Sequence, residues 1–172
     1  MKIRHLLFAA GCAALLCGCT KSNIVTPETE AGETLAPDFN LYAYVEIDED
    51  QLHEDVDDIY LDEEEYPMAY AIDFGLHLDD GYVDVIAVVK DGTSAEDASE
   101  FAMVAIKGVN DEYAMQDFNY GSSDETMYGG LYQDNEIHLK VYTASEYEND
   151  GDPWYEMTIP EDEYILVEIP ED

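Results

Sequence analysis

Apolar and polar residues alternate along residues 68–90, with a turn in the middle, and this pattern predicts a β-hairpin. Asp80-Gly81 is typical of a two-residue type I′ turn, which would pair Phe74 with Ala87. With that pairing, the apolar positions of one strand face the apolar positions of the other along the whole hairpin. We therefore expect one face of the hairpin to be buried, with Phe74 among its core residues.

A helix is predicted to follow the hairpin. Thr93-Ser94-Ala95-Glu96 has the form of a capping box, and apolar residues then recur at helical spacing as far as Lys107. Gly108 is typical of the residue just beyond a helix end. Residues 109–125 are interpreted as a loop with one short element near residues 113–118.

The remaining pattern predicts further strands. Residues 41–48 alternate as a strand does, whereas residues 49–65 indicate either a short helix or an acidic loop. A second hairpin is predicted over residues 127–143 around Asp134-Asn135, and two final strands are predicted at residues 155–159 and 165–169. These elements predict an α+β fold, a mainly antiparallel sheet with one packed helix. A two-layer β-sandwich is the alternative.

The N-terminus has the pattern of an export signal. Lys2 and Arg4 precede an apolar stretch at residues 6–16, and the stretch ends in Leu16-Cys17-Gly18-Cys19. A membrane-spanning helix needs about 20 apolar residues, so this stretch is too short to be a permanent anchor. The alternatives are a buried N-terminal helix of a cytosolic protein, and cleavage before Cys12, which would leave an unusually short apolar region.

This tetrapeptide resembles the lipobox of bacterial lipoproteins, and the resemblance covers only residues 1–19. It implies cleavage between Gly18 and Cys19 and attachment of lipid to Cys19. The chain then divides into a signal peptide (1–18), a lipidated cysteine with a flexible tether (19–40) and a single β-rich domain (41–172). By analogy with enterobacterial sorting, Thr20 after the cysteine favours the outer membrane or cell surface.

Charge narrows the range of partners. The chain carries 42 acidic and 6 basic residues, and removal of Lys2 and Arg4 would change its formal net charge from −36 to −38. Electrostatic repulsion of this size argues against nucleic acid and anionic membrane surfaces as direct partners. Cys12 and Cys17 would also leave with the leader, so the mature domain would have no disulfide.

His77 and Asp84 are the first candidate site. In the predicted hairpin register they lie opposite each other, on the face away from the main apolar layer. Such a pair could orient an imidazole for base catalysis or for metal binding. A solvated cross-strand pair is the more common meaning of the same pattern, and no nucleophile motif accompanies it.

Acidic turns form the second candidate site. Residues 146–157 begin like an EF-hand loop, but Met157 occupies the twelfth position, where glutamate is required. A looser ligand or cation surface could form from any of four carboxylates and could bind calcium, although a solvated surface is the simpler interpretation. These carboxylates are Asp79, Asp80, Asp150 and Asp152.

Together these patterns predict a lipid-anchored envelope protein that is a non-enzymatic binding or structural module. Its expected partners are the membrane, through the lipid on Cys19, and an envelope protein or glycan, because tyrosines alternate with carboxylates on several strands. Tyrosines are also ordinary sheet formers, and a purely structural role is the more common meaning of this pattern. No cofactor is expected. The alternatives are an envelope hydrolase that uses carboxylates and a surface component of the adhesion or pilus type.

Overall fold

The computed structural model describes residues 45–171. The predicted leader, Cys19, the predicted tether and residues 41–44 of the predicted first strand lie outside the described residues. The elements are the helix α1 (Glu49–Tyr60), the strands β1 (Ala69–His77) and β2 (Tyr82–Val89), the helix α2 (Ala95–Gln116), a 3₁₀ turn (Gly130–Gln133), the strand β3 (Glu136–Thr143), the short helix α3 (Ala144–Glu148) and the strand β4 (Tyr155–Ile159).

The four strands form one sheet in the order β1-β2-β3-β4. The two outer pairs are antiparallel, whereas the central pair, β2 and β3, is parallel. A parallel connection needs a long crossover, and α2 supplies it. The fold is therefore α+β with a mostly antiparallel sheet, as predicted.

Two long helices pack on the sheet, not one. Leu52 and Val56 of α1 join Phe101 and Ala105 of α2 in a single core with the inward side chains of the strands. Residues 49–60 are therefore helical, which resolves the choice between a helix and an acidic loop. Asp48, which was predicted to end a strand, instead caps α1 by accepting the backbone N–H of Gln51.

The register of the first hairpin differs from the prediction by two residues. Phe74 pairs with Val85 and not with Ala87, because the turn contains four residues, 78–81, instead of two. Gly81 provides the positive φ of +78° that closes this longer turn. Because side chains alternate with a period of two, the error leaves the side chains of residues 72–77 and 82–87 on their predicted faces. Phe74 and Val85 are accordingly buried, with exposures of 7% and 0%. The irregularity between Ala69 and Ala71 instead leaves Tyr70 exposed, although the alternation predicted it on the buried face.

The long helix also departs from the prediction. Ser94, one residue later than predicted, caps α2 by accepting the N–H of Asp97, and the helix continues through Gly108 to Gln116. Gly108 is needed for packing, because a Cβ at this position would lie 2.8 Å from two ring atoms of Tyr60. The helices α1 and α2 therefore make close contact at this glycine.

The second predicted hairpin does not form. Residues 130–133 make a 3₁₀ turn, and Asn135 is buried, with its side-chain amide donating to the carbonyl of Leu131 at 2.7 Å. Residues 165–169 are not a strand either, although Val167 and Ile169 are buried and the N–H of Ile169 donates to Ser99 Oγ on α2. Alternating apolar residues report a half-buried extended segment, which does not have to pair in a sheet.

Candidate functional site

The sheet has one face covered by α1 and α2 and one face turned away from them. We call the second one the open face. Because side chains alternate along each strand, the polar and aromatic residues that do not point into the core are collected there. The residues that define the part of the open face considered below are His77, Tyr82, Asp84, Glu136, His138, Lys140, Glu156 and Thr158.

Three rings form a row across the open face. The ring of Tyr82 on β2 stacks against His77 on β1 and against His138 on β3, with 4.5 Å between ring centroids in both cases. The planes of each pair are within 25° of parallel. His77 is the direct cross-strand neighbour of Tyr82, whereas His138 reaches it diagonally. Stacked aromatic pairs contribute about 0.5–1.5 kcal/mol beyond their buried area.

Asp84 links the two histidines. Its Oδ2 lies 3.3 Å from His77 Nε2 and its Oδ1 lies 3.6 Å from His138 Nδ1. The second ring nitrogen of His138, Nε2, lies 3.4 Å from an oxygen of Glu136. Each imidazole therefore has a ring face against Tyr82 and a nitrogen near a carboxylate, which restrains its orientation.

A glycine makes room for this arrangement. Gly75, and not His77, is the direct cross-strand partner of Asp84, so the predicted opposite pairing is wrong. His77 nevertheless reaches Asp84 diagonally by passing over Gly75, where a Cβ would lie 3.1 Å from His77 Nε2. The contact thus depends on a side chain being absent at residue 75.

His138 was not identified as part of this site from the sequence. It has no metal-type or catalytic spacing to the other histidines, and its approach to Asp84 follows from the parallel pairing of β2 with β3. The pairing of Asp84 with His138 would have identified His138 as part of the site, but it can be inferred only when the order of the strands in the sheet is known.

A shallow depression of about 420 Å³ lies beside the ring row. Asp84 and His138 line one side of it, and Glu156 and Thr158 of β4 line the other, with Lys140 between them. Lys140 is cross-strand partner to Glu156, and His138 to Thr158. The depression therefore offers carboxylates, an imidazole, an ammonium group and a hydroxyl to a polar ligand.

The opposite end of the open face is covered by the chain itself. The hydroxyl of Tyr147, on α3, donates to Asp73, and the hydroxyl of Tyr70 donates to Glu148. Burial and the neighbouring Asp73 carboxylate raise the pKa of Tyr147, and the hydrogen bond to Glu148 raises the pKa of Tyr70. Val88 is fully buried at this end. The accessible part of the open face is thus the ring row and the depression.

A wider groove of about 800 Å³ lies at the end of the sheet where the β1–β2 turn projects. Asp79 and Asp80 line it together with His77 and Asp117. The Asp117 carboxylate is already engaged, since it accepts the backbone and side-chain N–H groups of Asn119. The ring nitrogen Nε2 of His77 faces Asp84 on the open face. The groove therefore does not direct these groups at a common point.

The four carboxylates of the predicted cation surface do not come together. Asp79 and Asp80 precede β2, whereas Asp150 and Asp152 follow α3, which begins where β3 ends. The two pairs therefore lie at opposite ends of the parallel strands, which at about 3.3 Å per residue separates them by roughly 20 Å or more. These four carboxylates therefore do not form one surface, and cation binding by either pair alone stays a prediction. Within residues 45–171, no group of three His, Cys, Asp or Glu residues is arranged to hold a metal ion.

The three lysines in the described part of the chain differ in whether their ammonium groups already have partners. Lys90 Nζ lies 3.0 Å from a Glu63 oxygen, and Lys107 Nζ donates to the carbonyl of Asp124 at 2.7 Å. Of the three lysines in the described part of the chain, only Lys140 has no hydrogen bond or ion pair with another described residue. Lys140 is therefore available to a ligand in the depression.

No protein-family model, curated protein or solved structure matches this chain. None of the helices within residues 45–171 has the length and apolar character needed to cross a bilayer.

Proposed function

We propose that this protein is a lipid-anchored component of the bacterial cell envelope and that its domain is a non-enzymatic binding or structural module. The partner would be an envelope protein or a glycan that contacts the accessible part of the open face. The observation that carries the binding role is the row His77–Tyr82–His138, linked by Asp84, on the solvent side of the sheet.

The anchor is supported by the leader and the lipobox resemblance. Lipid on Cys19 would hold the chain at a membrane, since several acyl chains on one residue bind far more stably than one. Residues 19–40 could extend to roughly 75 Å at about 3.4 Å per residue. That reach would let the domain work well away from the bilayer, at the outer membrane or cell surface.

Recognition is supported by the restrained rings. The side chains of His77 and His138 are 42% and 35% exposed, so a partner can reach them. Their orientations are already restricted by stacking and by Asp84, which lowers the conformational entropy lost on binding. Aromatic rings beside hydrogen-bonding groups are also enriched at protein contact surfaces.

The anchor is tested by Cys19→Ala. Cells expressing the full chain are labelled with radioactive palmitate, and the wild-type protein should incorporate label whereas the Cys19→Ala variant should not. Cys12→Ala, the control, should label normally. Normal labelling of the Cys19→Ala variant would show that the lipobox assignment is wrong.

The binding surface is tested by crosslinking in intact cells. A photoreactive phenylalanine analogue replaces His138, or, as a control, the exposed Gln133 in the 3₁₀ turn. A discrete crosslinked product at residue 138 that is absent at residue 133 and lost on Tyr82→Ala is expected. Equal products at both positions, or a product indifferent to Tyr82→Ala, would contradict a role for the ring row.

A further inference from the structure

The outer side of β4 is open. β4 is the last strand of the sheet, and within residues 45–171 its backbone pairs only with β3. Tyr155 and Met157 are half-buried along this edge, where they pack against the core without being fully covered. An unprotected edge strand presents backbone N–H and C=O groups that can pair with another strand.

The other edge of the sheet is less accessible. On β1, the N–H of Phe74 is bonded to the Asp73 side chain at 2.9 Å, so this donor is already engaged. The β1–β2 register also shifts between Ala69 and Ala71. Irregular pairing and engaged donors both hinder addition of a strand at an edge. The two edges of the sheet therefore differ, and β4 is the more favourable one for accepting a strand.

The acidic residues around β4 determine what kind of partner segment could pair with it. Asp150 and Asp152 precede it, the acidic residues 161–163 follow it, and Glu156 projects from its middle onto the open face. Lys140 is the only lysine or arginine that lines the depression beside β4. A partner segment with basic residues would be attracted to this edge, and an acidic one repelled.

We propose that the outer edge of β4 receives an extended, basic segment of a partner polypeptide as a fifth strand of the sheet. Backbone hydrogen bonds to residues 155–159 would supply much of the affinity. Alternate side chains would cover Tyr155 and Met157 on one face and reach Glu156 on the other. This inference rests on the proposed binding role and adds the class of partner, a polypeptide instead of a glycan.

The test uses the full-length chain and a ten-residue peptide in which lysine and valine alternate. Two control peptides have the same sequence. In one, the backbone nitrogen of every valine is methylated, and in the other, the backbone nitrogen of every lysine is methylated. Each control keeps the charge but blocks the N–H groups along one side of the strand. In 0.15 M NaCl, we expect at least one control peptide to bind at least ten-fold more weakly than the unmodified peptide. Equal affinity for all three peptides would show only charge attraction and would overturn the proposal.

Hydrogen exchange locates the contact. The unmodified peptide should slow exchange of amides in residues 155–159 and leave β1, residues 69–77, unchanged. Slowing at β1 instead would overturn the proposal. So would full protection, before peptide is added, of the β4 amides that point away from β3, because the chain itself would then occupy the edge.

A charge reversal separates β4 from the rest of the acidic surface. Glu156→Lys should weaken binding about ten-fold, whereas Glu168→Lys, at an exposed position in the C-terminal segment, should change it less than two-fold. Equal effects of the two variants would contradict the assignment to β4. Palmitate labelling of Cys19 is measured independently, so failure of the peptide experiment is distinguishable from failure of the anchor.

Discussion

Gly108 offers a test of how closely α1 and α2 approach each other. Glycine inside a helix normally costs about 1 kcal/mol relative to alanine, so Gly108→Ala would usually be stabilising. In this protein a Cβ at residue 108 would lie 2.8 Å from Cδ2 and Cε2 of Tyr60 and 3.0 Å from its Cζ. Ordinary contacts between carbon atoms are about 3.5–4.0 Å. The tyrosine ring or one of the helices must therefore shift by roughly 0.7–1.2 Å.

Overpacking of this kind costs about 1–3 kcal/mol. Set against a propensity gain of about 1 kcal/mol, it predicts that Gly108→Ala lowers the free energy of unfolding by up to about 2 kcal/mol. In a Tyr60→Ala background the ring is gone, so the same substitution should instead stabilise the protein by about 1 kcal/mol. The coupling between the two positions should therefore be roughly 1–3 kcal/mol.

Urea denaturation of the four proteins in this double-mutant cycle measures that coupling, with the midpoints compared at a common slope. A reversal of sign between the two backgrounds is the expected result. If Gly108→Ala stabilises the wild-type protein by the full amount expected for an exposed helix, the close contact between Tyr60 and Gly108 is wrong.

Four further results are expected. Phe74→Ala should cost about 3–5 kcal/mol in urea denaturation, because Phe74 is buried and stacks on His53; a loss well under 1 kcal/mol would mean that this face is exposed. Burial, with the nearby Asp55 and Asp111, raises the pKa of Glu112 in the folded protein, so the ionised carboxylate opposes folding at neutral pH. Glu112→Gln should therefore raise the melting temperature at pH 7, and the gain should disappear at acidic pH, where Glu112 is protonated in both states; a gain independent of pH would contradict this. The melting temperature should rise between 0.01 and 0.15 M NaCl, since salt screens repulsion among the 42 acidic residues, and a fall would refute the argument. Calcium and magnesium should stabilise the protein equally at equal ionic strength, because Asp79 and Asp80 lie far from Asp150 and Asp152; a saturable advantage of calcium would reveal a specific site.

Local features of the fold could be predicted where neighbouring residues determine them. The faces of the first hairpin follow from a period of two, and they survive a register error of two residues. The start of α2 was located to within one residue because a helix cap is a local hydrogen bond, here from the N–H of Asp97 to Ser94. The predicted end of α2 was wrong because glycine is typical of a helix terminus. Gly108 instead lies inside the helix, where it packs against Tyr60, a residue far away in the chain.

Only part of the candidate site could be predicted, because some of its residues are brought together by contacts between segments distant in the chain. His77 and Asp84 belong to one hairpin, so their proximity follows from a short turn even though their exact pairing did not. His138 joins them because β3 pairs in parallel with β2, and that choice is made by the crossover through α2 and not by any pattern within residues 136–143. The open edge of β4 likewise depends on sheet order.

The leader pattern, the lipobox resemblance, the acidic charge, the faces of the hairpin and the α+β class could all be inferred from the sequence, because each depends on composition or on near neighbours in the chain; the leader and the lipobox stay predictions. The tertiary structure alone decided the strand order, the four-residue turn, the length of α2 and the meeting of His77, Tyr82, Asp84 and His138. The physical reason is that alternation specifies which face of a strand is buried, whereas its partner is selected by packing between segments that are distant in the chain.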